Sequence, residues 1–197
     1  MKIKRFTAYI IDIILVYFVA NAIFIICFNN DYKKFQKSTD EYVETLKKTM
    51  SNTKEKQNAE ELIAETNKIN YDYLKSGQTQ TIIVLTIEII YFVFMQYFNK
   101  GQTIGKKLMK IRIKQQEGKK LDASQFVLRE AVLFVLPVQI IDVICLLTTK
   151  MNTYLTINSV TSNINSLVTI TIIAFVLFRK DERGLHEIVS KTEMEQL

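Results

Sequence analysis

Lys4-Arg5-Phe6-Thr7-Ala8-Tyr9-Ile10-Ile11-Asp12 opens an apolar run that continues to Phe28, and the reading of its aspartate decides the fold. The run is long enough to supply the roughly 20 residues that cross a ~30 Å hydrocarbon core. An acidic residue near the middle of such a helix costs about 3 kcal/mol on insertion scales, so it is buried in a bundle, partnered or protonated. Arg5 and Asp12 stand seven positions apart, which puts them on one helix face about 10 Å apart along the axis.

The rest of the 197-residue chain repeats this segregation. Apolar runs fall at Thr79 to Phe98, Ala131 to Leu147 and Leu167 to Phe178, and nearly all charges lie between them. The second run matches a span in length, and the third needs little from its flanks. The fourth crosses only if its Ser/Thr/Asn-rich approach, Ser159 to Ser166, is drawn into the membrane; a re-entrant or interfacial segment is the alternative. The chain therefore divides into a tail and first span (1–28), an insert (29–78), a second span (79–98), a basic loop (99–130), a third span (131–149), an outer loop (150–163), a fourth span (164–178) and a tail (179–197). The first segment and 79–197 make one membrane domain.

Basic residues orient these spans. Lys2, Lys4 and Arg5 precede the first; Lys100, Lys106, Lys107, Lys110, Arg112, Lys114, Lys119, Lys120 and Arg129 lie between the second and third; Arg179, Lys180, Arg183 and Lys191 follow the fourth. Both termini and the basic loop are expected in the cytoplasm. The insert, with nine Lys against nine Asp/Glu, is expected outside. Topology thus accounts for the net charge of +6 and argues against a nucleic-acid partner. A cleaved signal peptide fits poorly, because the run passes the Ala20-Asn21-Ala22 box and carries Asp12. Cys27 and Cys145 both lie in apolar runs, and with one His in the chain neither a disulfide framework nor a metal or haem centre is expected.

In the insert, Phe35, Tyr42, Val43, Leu46 and Met50, and then Ala59, Leu62, Ile63, Ile69 and Tyr73, fall at helical spacing, with Asn52-Thr53-Lys54-Glu55 as a capping box between them. Two helices folded as a hairpin are expected, acting as a spacer or as a docking surface. In the basic loop, Thr103 is a candidate N-cap for a short amphipathic helix whose Lys106, Lys107 and Lys110 would meet anionic headgroups. Alternation from Lys110 to Lys114, with a turn at Glu117-Gly118, predicts a β-hairpin through Asp122.

Chemistry concentrates in the membrane. Gly101 to Lys107 fails as a phosphate-binding loop on spacing and on the Lys that follows Lys106. His186 reads as an interfacial contact, and no nucleophile grouping suggests an enzyme or a cofactor. Glu88 lies near the centre of the second span and Asp142 about halfway along the third, so with Asp12 three carboxylates sit at depth and no basic residue accompanies them there. Such a group suits a proton or small monovalent cation. The structural alternative pairs each acid with Tyr9, Thr86, Gln139 or a backbone carbonyl, or with Arg5 or Arg129 at the inner edge. Pro137 would loosen the third span close to Asp142.

The opening Lys4 to Asp12, then Gly101-Gln102-Thr103-Ile104-Gly105-Lys106-Lys107-Leu108 with Ile111-Arg112-Ile113, then Arg129-Glu130, and finally Gly184-Leu185-His186-Glu187 together resemble the RDD family, named for one arginine and two aspartates. By that resemblance Arg5 and Asp12 are the arginine and first aspartate, and Glu187 stands where the second aspartate falls. The resemblance implies a bacterial multi-pass membrane protein, with cation/proton exchange suggested for some relatives. The expectation is an all-α membrane protein of the bacterial cytoplasmic membrane, with about four transmembrane helices, an extracytoplasmic helical insert and a small cytoplasmic loop. Its leading function is proton-coupled movement of a small cation by a homo-oligomer. The competing one is a non-transporting subunit or immunity-like protein that docks another protein.

Overall fold

The computed structural model describes residues 2–51, 59–116, 120–179, 181 and 183–197. Helix α1 (Lys2–Cys27) is the first apolar run, and it buries Ala8, Asp12, Val16, Ala20 and Phe24. That spacing of four residues draws one stripe along the helix, and Asp12 is part of it. Helix α4 (Gln78–Ile89) packs along α1 and continues as a π-helical turn, Ile90–Met95, into α5 (Gln96–Phe98). The wider turn lets Tyr91, Phe92 and Val93 all be buried although they are consecutive.

The insert forms α2 (Asn29–Ser51) and α3 (Ala59–Ser76), which extend the first two rods rather than hanging from loops. Backbone bonds Phe28 N–H to Phe24 C=O (3.1 Å) and Tyr32 N–H to Phe28 C=O (2.9 Å) carry the helical ladder across the α1–α2 joint. Gly77 N–H to Tyr73 C=O (3.1 Å) and Thr81 N–H to Gly77 C=O (3.0 Å) do the same between α3 and α4. The two insert helices meet through the Tyr42–Tyr73 stack, with ring centroids 4.9 Å apart, and through Phe35 on Tyr73 at 5.5 Å. The expected capping box at 52–55 lies outside the described residues.

The third apolar run, expected as a span over 131–149, is bent. It is two helices, α7 (Ala123–Leu133) and α8 (Leu136–Thr148), meeting at 68°. The break is at Val135, whose φ of +52° is a left-handed conformation unusual for a β-branched residue. Pro137 is not the kink. It sits in the first turn of α8, where its missing N–H has no intrahelical partner to lose. The Gln139 side chain donates to the Phe134 carbonyl at 2.8 Å and satisfies an acceptor that the break exposes.

The expected outer loop over 150–163 is also corrected, because α9 runs unbroken from Met151 to Phe178. Its polar side chains fold back on the helix: Thr156 Oγ1 donates to the Asn152 carbonyl (3.0 Å) and Asn163 Nδ2 to the Ser159 carbonyl (2.8 Å). Ser, Thr and Asn are therefore accommodated without ending the helix. Among the described residues three helical stretches are long and apolar enough to cross a membrane, Lys2–Cys27, Gln78–Phe98 and Met151–Val176, and the bent α7–α8 pair is a fourth if it counts as one span.

At the end of the bundle where α1 begins, a small cap forms from α6 (Ile104–Leu108), α10 (Leu185–Val189) and two strands, β1 (Ile111–Gln115) and β2 (Thr192–Gln196). The expected local hairpin is replaced by a long-range pairing. β1 runs antiparallel to β2 of the C-terminal tail, with Ile113 opposite Met194. The basic face of β1 meets the acidic face of β2, Arg112 with Glu195 and Lys114 with Glu193 at 3.1 Å. Ile111, Ile113 and Met194 on the other face pack with Ala8, Val93 and Phe126, which ties the sheet to the bundle. The expected turn at 117–118 lies outside the described residues.

Candidate functional site

Asp12 is 1% exposed and is held by an element far away in sequence. Its Oδ1 accepts from the Tyr91 hydroxyl (2.5 Å) and the Gly105 N–H (2.7 Å), and its Oδ2 accepts from the Thr103 hydroxyl (2.5 Å). The contact closes on itself. Tyr91 OH accepts the Ile104 N–H at 3.1 Å, and Thr103, the N-cap of α6, accepts the Lys106 N–H at 3.2 Å. Gly105 permits this approach, since a Cβ there would lie 2.3 Å from the Ala8 carbonyl oxygen and 2.8 Å from Asp12 Oδ1. The glycine-spaced turn thus cradles an anion, as such turns do for phosphate, but the anion is the chain's own carboxylate.

Arg5 does not pair with Asp12. Its Nη1 lies 3.2 Å from Glu187 Oε2, which also accepts the Gly184 N–H at 2.9 Å and so caps α10. Arg129 Nη1 faces Glu187 Oε1 at 3.6 Å and donates to Thr192 Oγ1 at 3.0 Å, while its Nε lies 3.7 Å from Glu130. Lys106, expected among lipid headgroups, is instead 8% exposed and donates to Gln96 Oε1 at 2.8 Å; Gln96 in turn donates to Glu130 Oε1 at 3.0 Å. The reason for the correction is that α6 turns its Lys106 edge toward the bundle to bring Gly105 onto α1. Lys107 and Lys110 remain exposed. Burial pushes the Lys106 ammonium down to about 8, against the opposing pull of Glu130. His186, also buried, is held well below its usual value of 6.5 by burial first and then by Arg129, Lys106 and Arg5.

Glu88 and Asp142 lie elsewhere, on the wall of a cavity of about 380 Å³ between α1, α4, α8 and α9. Tyr17, Gln80, Gln139, Asn158, Thr161 and Asn165 are among its other lining residues, and Asp12 is not. Asp142 is a fixed acceptor. It takes the Tyr154 hydroxyl (3.2 Å) on Oδ2 and Asn158 Nδ2 (3.0 Å) on Oδ1, and the Thr161 hydroxyl lies 3.0 Å from both Oδ1 and the Asn158 carbonyl, either of which accepts its one proton. Glu88 is 6% exposed, and its Oε2 has no hydrogen-bond partner among the described residues. The structure therefore splits the three acids into a saturated carboxylate under α6 and a pair with room beside it. Sequence reasoning missed Tyr91 and Gln96, which the π-helical turn orients. It also missed Tyr154, Asn158, Thr161 and Asn165, whose spacing of 4, 3 and 4 draws a polar stripe that could have been read along α9.

A helical bundle with carboxylates buried at span depth and one end closed by an internal ion network defines a multi-pass membrane protein. The sequence model of the RDD family matches residues 3–191, and the chain belongs to that family. No curated protein and no solved structure matches it. The segments quoted above for the family now have a place together: Arg5, Arg129 and Glu187 meet in one network, and Asp12 receives the Gly101 to Lys107 turn.

Proposed function

We propose that this RDD-family membrane protein exchanges protons for a small cation at the Glu88/Asp142 cavity. The observation that carries the reading is the cavity, a space at mid-span with the Glu88 and Asp142 carboxylates on its wall and Gln80, Gln139, Asn158 and Thr161 around them. Asp142, held by the Tyr154 hydroxyl and the Asn158 amide, keeps its acceptor geometry while the occupant changes. A cation entering beside Glu88 displaces its proton, and a returning proton releases the cation, so both compete for one carboxylate. Asp12 serves this reading only indirectly, by anchoring the cap. The distribution of Lys and Arg supports four spans in the bacterial cytoplasmic membrane with both termini inside. A second reading has the α2–α3 hairpin dock a partner, and the exposure of Val43 and Ile63 on it favours that role.

Proteoliposomes under a pH gradient test the first reading. Purified protein is expected to move Na+, K+ or H+, and Glu88→Gln is expected to reduce the flux at least tenfold while the protein stays monodisperse. Wild-type protein that moves none of these ions, or a Glu88→Gln variant as active as wild type, overturns it.

A further inference from the structure

The cavity between α1, α4, α8 and α9 has a charge and a wall that together restrict its occupant. Glu88 and Asp142 line it, and among the described residues no Lys, Arg or His does. An occupant that balances them carries positive charge, since an anion is repelled and a neutral molecule leaves both acids uncompensated in a poorly solvated place. The volume of about 380 Å³ lies in the range of small-molecule sites, roughly 300–1,000 Å³, and is far larger than one alkali ion fills. A bare monovalent ion is held where a ring of oxygens closes on it and replaces its water. Around Asp142 the nearest groups do the reverse: the Tyr154 hydroxyl and the Asn158 amide turn hydrogens toward the carboxylate, so they satisfy the acid and offer no oxygen to a metal ion beside it. Two donors leave the carboxylate its charge and about half of its four acceptor positions.

The rest of the wall is partly apolar, and the apolar residues stand beside the acids. Val84 and Leu85 of α4 and Val138 and Val143 of α8 all line the space. Val84 is one turn from Glu88 and Val138 one turn from Asp142, so on each helix an aliphatic side chain and a carboxylate share one face. Tyr17 of α1 adds an aromatic ring to the lining, the kind of group that attracts cations and recurs in the recognition of quaternary ammonium. A metal ion gains nothing from aliphatic surface. A cation whose charge sits on nitrogen and whose body is hydrocarbon gains from both halves of this wall, because its apolar part leaves water as its charge meets the acids.

We propose that the Glu88/Asp142 cavity binds an organic ammonium ion with an apolar body in preference to an alkali metal ion. As the species exchanged for protons it rests on the reading above; its binding does not. The test is calorimetric titration of the full, detergent-solubilised chain with choline, with the uncharged alcohol in which a carbon replaces its nitrogen, and with Na+. Choline is expected to bind at least tenfold more tightly than Na+, and the uncharged alcohol at least tenfold more weakly than choline. Val84→Phe, which fills the apolar part and leaves both acids, is expected to weaken choline at least fivefold while the protein stays monodisperse. Na+ binding as tightly as choline, the uncharged alcohol binding as well as choline, or Val84→Phe binding choline like wild type overturns the proposal. Choline is a permanent cation and does not cross a bilayer as a free base, so it also serves in proteoliposomes. Choline binding without proton movement would refute exchange and leave this assignment standing, and proton movement driven by Na+ or K+ with no choline binding would do the reverse.

Discussion

Gly105→Ala tests whether the α6 turn is held by its contact with α1. The new Cβ would lie 2.3 Å from the Ala8 carbonyl oxygen and 2.8 Å from Asp12 Oδ1; the first is backbone of α1, and the second is a buried carboxylate held by three hydrogen bonds, so neither steps aside as a free side chain would. Restoring ordinary contact requires α6 to withdraw by about 1 Å. That stretches the Gly105 and Thr103 bonds to Asp12, now 2.7 and 2.5 Å, beyond hydrogen-bonding quality. Overpacking costs about 1–3 kcal/mol and weakening a hydrogen bond to a buried carboxylate about 1.5–3 kcal/mol, so a loss of about 3–5 kcal/mol is expected. For a chain of this length that is about 10 °C in the midpoint of thermal loss. The midpoint is measured as the fraction of detergent-solubilised protein that stays monodisperse on size exclusion after heating. A midpoint within about 2 °C of wild type would refute the reasoning, since the close approach would then contribute less than ~1 kcal/mol. Combining Gly105→Ala with Asp12→Asn sharpens it: two changes acting on one contact are sub-additive by at least about 1 kcal/mol, and strict additivity would show that the glycine acts elsewhere.

Glu187→Ala removes the carboxylate shared by Arg5, Arg129 and the Gly184 N–H, and losing that common acceptor from a buried network is expected to cost about 3–5 kcal/mol. Limited proteolysis checks it, because α10 and β2 should become cleavable while α1 and α4 stay protected. His186 yields a pH dependence. Its folded-state value lies below 6.5, so below that pH the unfolded chain binds a proton that the folded one refuses. Stability is therefore fully present above pH 6.5 and falls on acidification by about 1.4 kcal/mol per unit until the folded value is reached. Thermal midpoints at pH 7.5 and 5.5 should differ more for wild type than for His186→Gln, and equal differences would contradict the assignment.

Asp12 and β1 show how much was legible beforehand. That Asp12 needed a partner followed from hydrocarbon alone, but Arg5 was the nearest basic candidate in sequence, and Thr103, Tyr91 and Gly105 hold it instead. A helix periodicity identifies which residues share a face and not which distant segment meets that face. The strand at Ile111 was readable from alternation, and the basic residues Arg112 and Lys114 had an acidic complement in Thr192-Glu193-Met194-Glu195-Gln196. A local turn was preferred to a pairing some eighty residues away because it closes a shorter loop, yet loop-closure entropy grows only slowly with length and the buried face of the sheet outweighs it. The break at Val135 had no sequence signal, because the nearby proline sits where a helix tolerates it.

What the sequence by itself determined is the class: apolar runs of spanning length, basic segments between them, carboxylates at depth and the ordered segments that mark the RDD family. These depend on solvent, and the preference of each residue for water or hydrocarbon is written locally. Only the tertiary structure decided which carboxylates lie together. It closed Asp12 under the α6 turn, paired Arg5 with Glu187, and set Glu88 and Asp142 on one cavity wall. Such pairings depend on the rotation and depth at which whole helices dock, and those are fixed by packing across the bundle, which no single segment encodes.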